Sequence, residues 1–215
     1  MERGYIDIYC ERTGPEFWSE PANAVTNLAF LIAAAALVRL LCRDAGDNRA
    51  IGWFLTGMIA VIGIGSGLFH TFAQRWAALA DVIPIAIFIL AYTWFALRRF
   101  VGLPRWACWA GPAAVLGIAA AVPALTGFRG GSYIAALIAM TAIGGWLVAV
   151  PRHPAGRALL AAAAVFVVSL TFRTIDEPLC GDFPLGTHFM WHILNAIVLY
   201  LVARAMIRQG QRADA

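Results

Sequence analysis

Three histidines stand where an apolar chain has little reason to carry them. His188 and His192 lie in GTHFMWHILN, one helical turn apart, so on a helix their rings share a face. His70 lies far upstream and closes a second apolar stretch, GIGSGLFH. Imidazole is the commonest metal ligand among side chains. Three protein nitrogens with water in a fourth, tetrahedral position make a catalytic zinc site. Copper, iron and manganese accept similar ligands, so zinc is selected here by chemistry alone. Haem is disfavoured, because two axial ligands must approach from opposite faces and adjacent turns of one helix cannot supply them. The soluble metalloprotease pattern H-E-x-x-H is absent, since positions 189–191 read Phe, Met, Trp. The fourth histidine, His153, falls between prolines in PRHPAGR and reads as a solvated loop residue.

Two further residues belong to the same constellation. Ser66 precedes His70 by one turn and faces the same way. Asp81 is expected to open the third apolar span, just past a short turn around Gln74–Trp76. A carboxylate at the centre of a membrane helix costs ~3 kcal/mol on insertion scales, so it is usually paired or functional. Asp81 can orient the second ring nitrogen of a histidine, or it can exchange a proton with an activated water. The ordinary alternatives are a polar interhelical contact for each histidine and close packing for Ser66. Three imidazoles at one depth, with a carboxylate beside them, favour the metal.

The elements that must hold these groups are membrane helices. Of 215 residues, 61% are hydrophobic and only 13% charged, with a mean hydropathy of +0.75. A soluble domain averages roughly half apolar and about a quarter charged. Apolar stretches of the ~20 residues needed to cross the hydrocarbon recur at Asn23–Leu41, Ile51–His70, Leu79–Leu97, Ala107–Leu125, Tyr133–Val150, Arg157–Phe172 and Gly186–Met206. The expected fold is an all-α integral membrane protein, a seven-transmembrane helix bundle over residues 23–207. A short ordered cap (1–22) precedes it, and a cytoplasmic tail (208–215) follows. The first twenty residues scatter acidic and aromatic side chains and do not read as a signal peptide.

Charge orients the bundle. All 16 basic residues are arginine. Arg39, Arg43, Arg49, Arg98, Arg99, Arg105, Arg152, Arg157, Arg204, Arg208 and Arg212 fall on one side; Arg3, Arg12, Arg75, Arg129 and Arg173 fall on the other. The positive-inside tendency puts the C-terminus in the cytosol and the cap outside. The outer side also collects Glu2, Asp7, Glu11, Glu16, Glu20, Asp176, Glu177 and Asp182. His70 then ends an outward-running helix and His188 begins an inward-running one, so all three histidines reach a similar depth near the outer surface. Cys10 and Cys180 both fall outside, where thiols oxidise, and a disulfide between them is expected; Cys42 and Cys108 lie at the cytosolic ends and should stay reduced.

The pattern S-x3-H-x10-D joined to H-x3-H resembles the CREST superfamily of seven-helix zinc hydrolases, and it matches at Ser66, His70, Asp81, His188 and His192. IDIYCE followed by SEPANAVTNLAF is similar to the opening of its alkaline ceramidases, where a Cys-Glu pair precedes E-x2-N-x2-S-N; here Thr26 replaces the serine. The resemblance implies hydrolysis of ceramide to a sphingoid base and a fatty acid. One zinc would sit on the three histidines, with Asp81 as general base and then acid, and Ser66 supporting the oxyanion. It supports the Cys10–Cys180 pairing. It also implies a calcium site in the cap, with Asp7, Glu11 and Glu20 as ligands and Asn23 nearby. Asp7 stands one residue further from the Cys-Glu pair than in the family, and Thr13 stands where an asparagine is expected. Trp191, Phe69, Phe72 and Trp76 are candidate pocket residues.

Rival readings are a hydrolase of another lipid amide or ester, a receptor or sensor with a structural metal, and a transporter relaying protons through the histidines and Asp81. The last calls for inverted repeats and broken midplane helices, and neither is visible. The partner implied is a membrane lipid, with no nucleic-acid motif and no obligate protein partner evident. Alanine-rich spans and arginine without lysine suggest a bacterial cytoplasmic membrane with the site toward the periplasm; in a eukaryote the site would face the lumen of the endoplasmic reticulum or Golgi. Alkylation under denaturing, non-reducing conditions should modify Cys42 and Cys108 only, and prior reduction should add two further alkyl groups to the intact mass. Four modified thiols without reduction would refute the pairing.

Overall fold

A computed structural model describes residues 4–43, 46–128 and 130–210. Glu2, Arg3, Arg129 and Arg212, used above for orientation, lie outside the described residues, as do positions 44–45 and residues 211–215 of the expected tail. Seven helices are long and apolar enough to cross a membrane: α1 (Pro21–Arg43), α2 (Arg49–Phe72), α3 (Arg75–Val101), α4 (Ala107–Thr126), α5 (Gly131–Ala149), α6 (Pro154–Leu179) and α7 (His188–Gln209). Hydrocarbon offers the backbone no hydrogen-bond partner, so each spanning segment must satisfy its own N–H and C=O groups, which a helix does. This is a multi-pass membrane protein.

Helices adjacent in the chain pack against each other around the bundle, and α7 closes it against α6, α1 and α2. Side chains such as Ile32, Val61, Leu79, Val82 and Leu116 point outward, as a lipid-facing surface requires. Leu37, Leu41, Leu55, Ile59, Leu147 and Met206 are fully enclosed and fill the bundle away from the cap. The buried ionisable groups Glu11, Arg12, Glu20, Asp176 and the three membrane histidines come from the cap and from the helix ends beside it. The two most enclosed helices are α7 and α2, the two that carry those histidines.

Most spans lie within a few residues of their expected limits, and three differences matter. Helix α6 does not stop at Phe172 but runs to Leu179, through Arg173, Asp176 and Glu177. The charges that ended the apolar stretch do not end the helix, because Arg173 and Asp176 meet protein partners. Helix α3 begins at Arg75, which puts Asp81 in its second turn rather than at its start. Helix α7 begins at His188 rather than Gly186. Gly186 has φ +67°, a left-handed conformation that suits glycine, and a Cβ there would lie 2.3 Å from the Asp176 carboxylate. His153 is half-buried rather than solvated. Its Nδ1 accepts the Ala155 N–H at 3.2 Å and caps α6.

One close approach sets the distance between α2 and α3. Pro84 lies inside α3 and has no N–H, so the carbonyl of Ala80, four residues earlier, lacks its helical donor. That carbonyl turns to Gly65 on α2, where an added Cβ would sit only 2.0 Å from the Ala80 oxygen. Gly65 precedes Ser66, and Ala80 precedes Asp81, so this contact brings the two candidate catalytic side chains together. Gly65→Ala should force the helices apart and destabilise the bundle by roughly 1–3 kcal/mol, the usual range for overpacking. Thermal unfolding in detergent measures it, and an unchanged midpoint would refute the tight fit.

Candidate metal centre

The structure brings His70, His188 and His192 into one cluster. Their ring centroids lie 4.6 Å (His70–His192), 4.7 Å (His188–His192) and 5.2 Å (His70–His188) apart. One ligand nitrogen from each lies within 4.8 Å of the others. All three rings are buried, with at most 2% of their surface exposed. Among the described residues no other group of three His, Cys, Asp or Glu side chains meets this spacing.

Each ring is fixed by a residue of the N-terminal segment. The Nδ1 of His70 lies 2.5 Å from Glu20 Oε2. An ionised carboxylate only accepts, so Nδ1 carries the proton and Nε2 keeps a free lone pair. The Thr26 hydroxyl donates to the Ala22 carbonyl at 2.7 Å. Its oxygen therefore accepts from His192 Nδ1, 3.0 Å away, and Nε2 of His192 is again the bare nitrogen. This tautomer follows from the network. The Tyr9 ring stacks on His188 with centroids 3.6 Å apart. His188 Nδ1 and His192 Nε2 are buried with no hydrogen-bond partner. An orphaned buried polar atom costs about 1–3 kcal/mol, and a cation shared by the cluster removes that cost. Three nitrogen donors, with a carboxylate behind one ring and a hydroxyl behind another, match the outer support typical of histidine-held metals.

The cap that supplies these contacts is itself held at several points. Glu11 accepts the backbone N–H groups of Ala22 (2.6 Å) and Asn23 (2.8 Å) at the start of α1. The Arg12 guanidinium bonds to the Glu20 carboxylate. Asn23 Nδ2 donates to Glu20 Oε2 at 3.0 Å. Burial opposes ionisation of Glu20, but the hydrogen bond from His70 and the nearby Arg12 charge prevail, holding its pKa below the usual carboxylate value. A Cys10–Cys180 disulfide ties the cap to the loop between α6 and α7; Cys42 and Cys108 are free. The buried Asp176 carboxylate gathers three backbone amides: Thr187 (2.6 Å) and His188 (2.9 Å) at the start of α7, and Cys10 (3.1 Å) in the cap. Negative charge at a helix N-terminus is favourable.

Below the histidines lies a largely apolar cavity. Ser66, Asp81 and His192 line one end. Ile62, Ile85, Phe88, Ile89 and Leu199 line the walls. At the far end the Tyr92 hydroxyl donates to the Val202 carbonyl at 3.0 Å. From His192 to Val202 along α7 the cavity runs ~15 Å at ~1.5 Å per residue, about half of the ~30 Å hydrocarbon thickness.

A buried histidine triad at one end of an apolar cavity, inside a seven-helix bundle, narrows the possibilities, and comparison with known families decides among them. The ceramidase family matches residues 9–213. The chain belongs to the ceramidase family. No curated protein matches it. The family points to hydrolysis of an amide in a lipid, and the three buried histidines of this ceramidase-family chain can hold a metal ion.

The sequence-predicted residues fall into two groups. Ser66, His70, Asp81, His188 and His192 converge. Asp7, Glu11 and Glu20 form no such cluster: Asp7 is exposed, Glu11 caps α1, and Glu20 is shared by Arg12, Asn23 and His70. The buried Arg12 cation, bonded to Glu20, repels a second cation there, so this arrangement does not fit calcium. Of the four aromatic candidates only Trp191 lines the cavity; Phe72 and Trp76 are exposed, and Phe69 is buried beside Tyr9. Sequence reasoning missed Tyr9, Arg12, Thr26 and Asp176 as supports. It also missed Arg173, whose guanidinium lies over the Tyr133 and Trp191 rings at 5.0 and 5.6 Å. Arg173 and Asp176 had a signal, since charges continuing an apolar helix call for partners. Glu20→Gln, which removes the charge behind His70, should weaken metal binding by about 10–100-fold. Competition with a chromogenic chelator measures this, and wild-type affinity in the variant would sink the assigned role of Glu20.

Proposed function

We propose that this protein is a zinc-dependent intramembrane amidase that hydrolyses ceramide to a sphingoid base and a fatty acid. The observation that carries the reading is the cavity: one leaflet deep, mostly apolar, with a carboxylate, a hydroxyl and a histidine of the metal cluster at one end. Such a space accepts a hydrocarbon chain whose amide stops at the histidines.

Zinc suits a three-histidine donor set; when bound, it supplies Lewis acidity that makes water a nucleophile near neutral pH. The chain's own groups do the rest. Asp81 takes a proton from the attacking water as oxygen adds to the carbonyl carbon. It then delivers that proton to the amide nitrogen as the C–N bond breaks. Ser66, beside Asp81 and one turn from His70, donates to the carbonyl oxygen as negative charge develops; one such donor is typically worth ~3 kcal/mol. Glu20 and Thr26 keep the metal-facing nitrogens of His70 and His192 unprotonated. The apolar walls exclude water from the acyl chain, while the cap end leaves the polar head group near the membrane surface.

The arginine distribution and the disulfide support an orientation with cap and site on the extracytoplasmic side, the periplasmic side of a bacterial cytoplasmic membrane. Disulfides persist in oxidising compartments, and the free cysteines fall at the opposite helix ends. Calcium takes no part in this mechanism.

Metal analysis and ceramide turnover, measured together, test the proposal. Wild type should hold one equivalent of zinc and release fatty acid from ceramide, and His70→Ala should lose both. Asp81→Asn should keep its metal while turnover falls by ~10²–10⁴, the usual worth of general acid–base catalysis. Wild-type protein that retains zinc yet cleaves neither ceramide nor any other lipid amide or ester would overturn the reading in favour of a metal-stabilised receptor.

A further inference from the structure

We propose that the guanidinium of Arg12 is the resident cation of the N-terminal cap, in place of a divalent ion, and that Arg12 is a positioning residue for His70. The side chain of Arg12 has no exposed surface, and its nitrogens reach three acceptors on different segments. One is the Glu20 carboxylate, one the Gly14 carbonyl at 2.9 Å, and one the His70 carbonyl at 2.8 Å. Arg12 therefore grips His70 twice: at its main chain directly, and at its ring through Glu20, which accepts the hydrogen bond from His70 Nδ1. These contacts fix both the end of α2 and the rotation of the ring it carries.

The chemistry favours a guanidinium over either alternative cation. Three acceptors in divergent directions suit a rigid, planar, five-donor fork; a lysine ammonium is a point charge on a flexible stem. Calcium takes about six to eight oxygens. Arg12 itself is bonded to one carboxylate and two backbone carbonyls, while both Glu11 oxygens accept the amides that open α1. The positive charge of Arg12 also balances Glu20 in a place where water is scarce.

The inference rests on the histidines holding a metal but not on the identity of the lipid, so its test uses metal binding rather than turnover. In purified full-length protein with the disulfide intact, direct calcium binding should be absent. Calcium added to calcium-depleted protein should change neither the zinc affinity nor the visible spectrum of the cobalt-substituted form. Arg12→Lys should fold, with Cys10 and Cys180 still protected from alkylation, but bind zinc about 10–100-fold more weakly and show a shifted cobalt spectrum. Arg12→Gln should lose at least as much. One equivalent of bound calcium in wild type, or a calcium-dependent spectrum, would overturn the proposal without any variant. So would a folded Arg12→Lys or Arg12→Gln protein with wild-type zinc affinity and spectrum. Wild type that takes up no zinc or cobalt at all would instead defeat the proposed function.

Discussion

A neutral imidazole carries its proton on one nitrogen and offers the other to a metal, and much of this structure fixes which nitrogen that is. Two of the three rings have Nδ1 committed to a cap-proximal acceptor, Glu20 for His70 and Thr26 for His192. The third is held flat under Tyr9. Buried imidazoles without such partners would adopt other tautomers or turn toward other acceptors. Position in the bundle alone would bring them near one another without making them ligands. The motif running from Glu20 through Asn23 and Thr26 to Asn27 is thus explained by hydrogen bonding. Glu20 and Thr26 serve two histidines, Asn23 braces Glu20, and Asn27 donates to the Asn23 carbonyl at 2.8 Å.

This dependence makes the N-terminal segment part of the site rather than a cover over it. The segment is held by polar and covalent anchors. The Cys10–Cys180 disulfide binds it to the end of α6, Asp176 joins it to the start of α7, and Arg12 binds it to the end of α2. The last two are the places where the histidines reside. A disulfide restricts the unfolded chain most when it closes a long loop, and this one spans 170 residues. Cap, α2 and α7 are thereby held in one geometry although they are remote in sequence.

The remainder of the bundle supplies depth and exclusion. The packed core away from the cap and the Tyr92–Val202 hydrogen bond close the cavity at its far end, and polar chemistry is confined to the end near the cap. A lipid amide has the same division: a long apolar chain ending in a polar group that must meet water. The small-residue contact of Gly65 with the Ala80 carbonyl, freed by Pro84, shows how this division is built. An omitted side chain and an omitted N–H let two helices approach closely enough for Ser66 and Asp81 to share one end of the cavity.

The sequence by itself determined the seven helices, because hydrophobic length reports directly on membrane crossing. It also pointed to the three histidines that converge, because a one-turn spacing on α7 and common depth on α2 follow from helix geometry. Cysteine placement relative to arginine gave the disulfide. What it did not reveal was the use of the acidic cap residues. Glu11 and Glu20 have the composition of cation ligands, and only the fold shows that one caps a helix and the other orients a histidine beside a buried arginine. The extension of α6 through Arg173 and Asp176 was hidden for the same reason. A charge in an apolar stretch reads as an end when its partner is unknown, and those partners, Tyr133, Trp191 and the amides at the start of α7, lie elsewhere in the chain. Periodicity and hydropathy are local properties, whereas satisfaction of a buried polar group is a contact between distant segments, so the tertiary structure alone decided it.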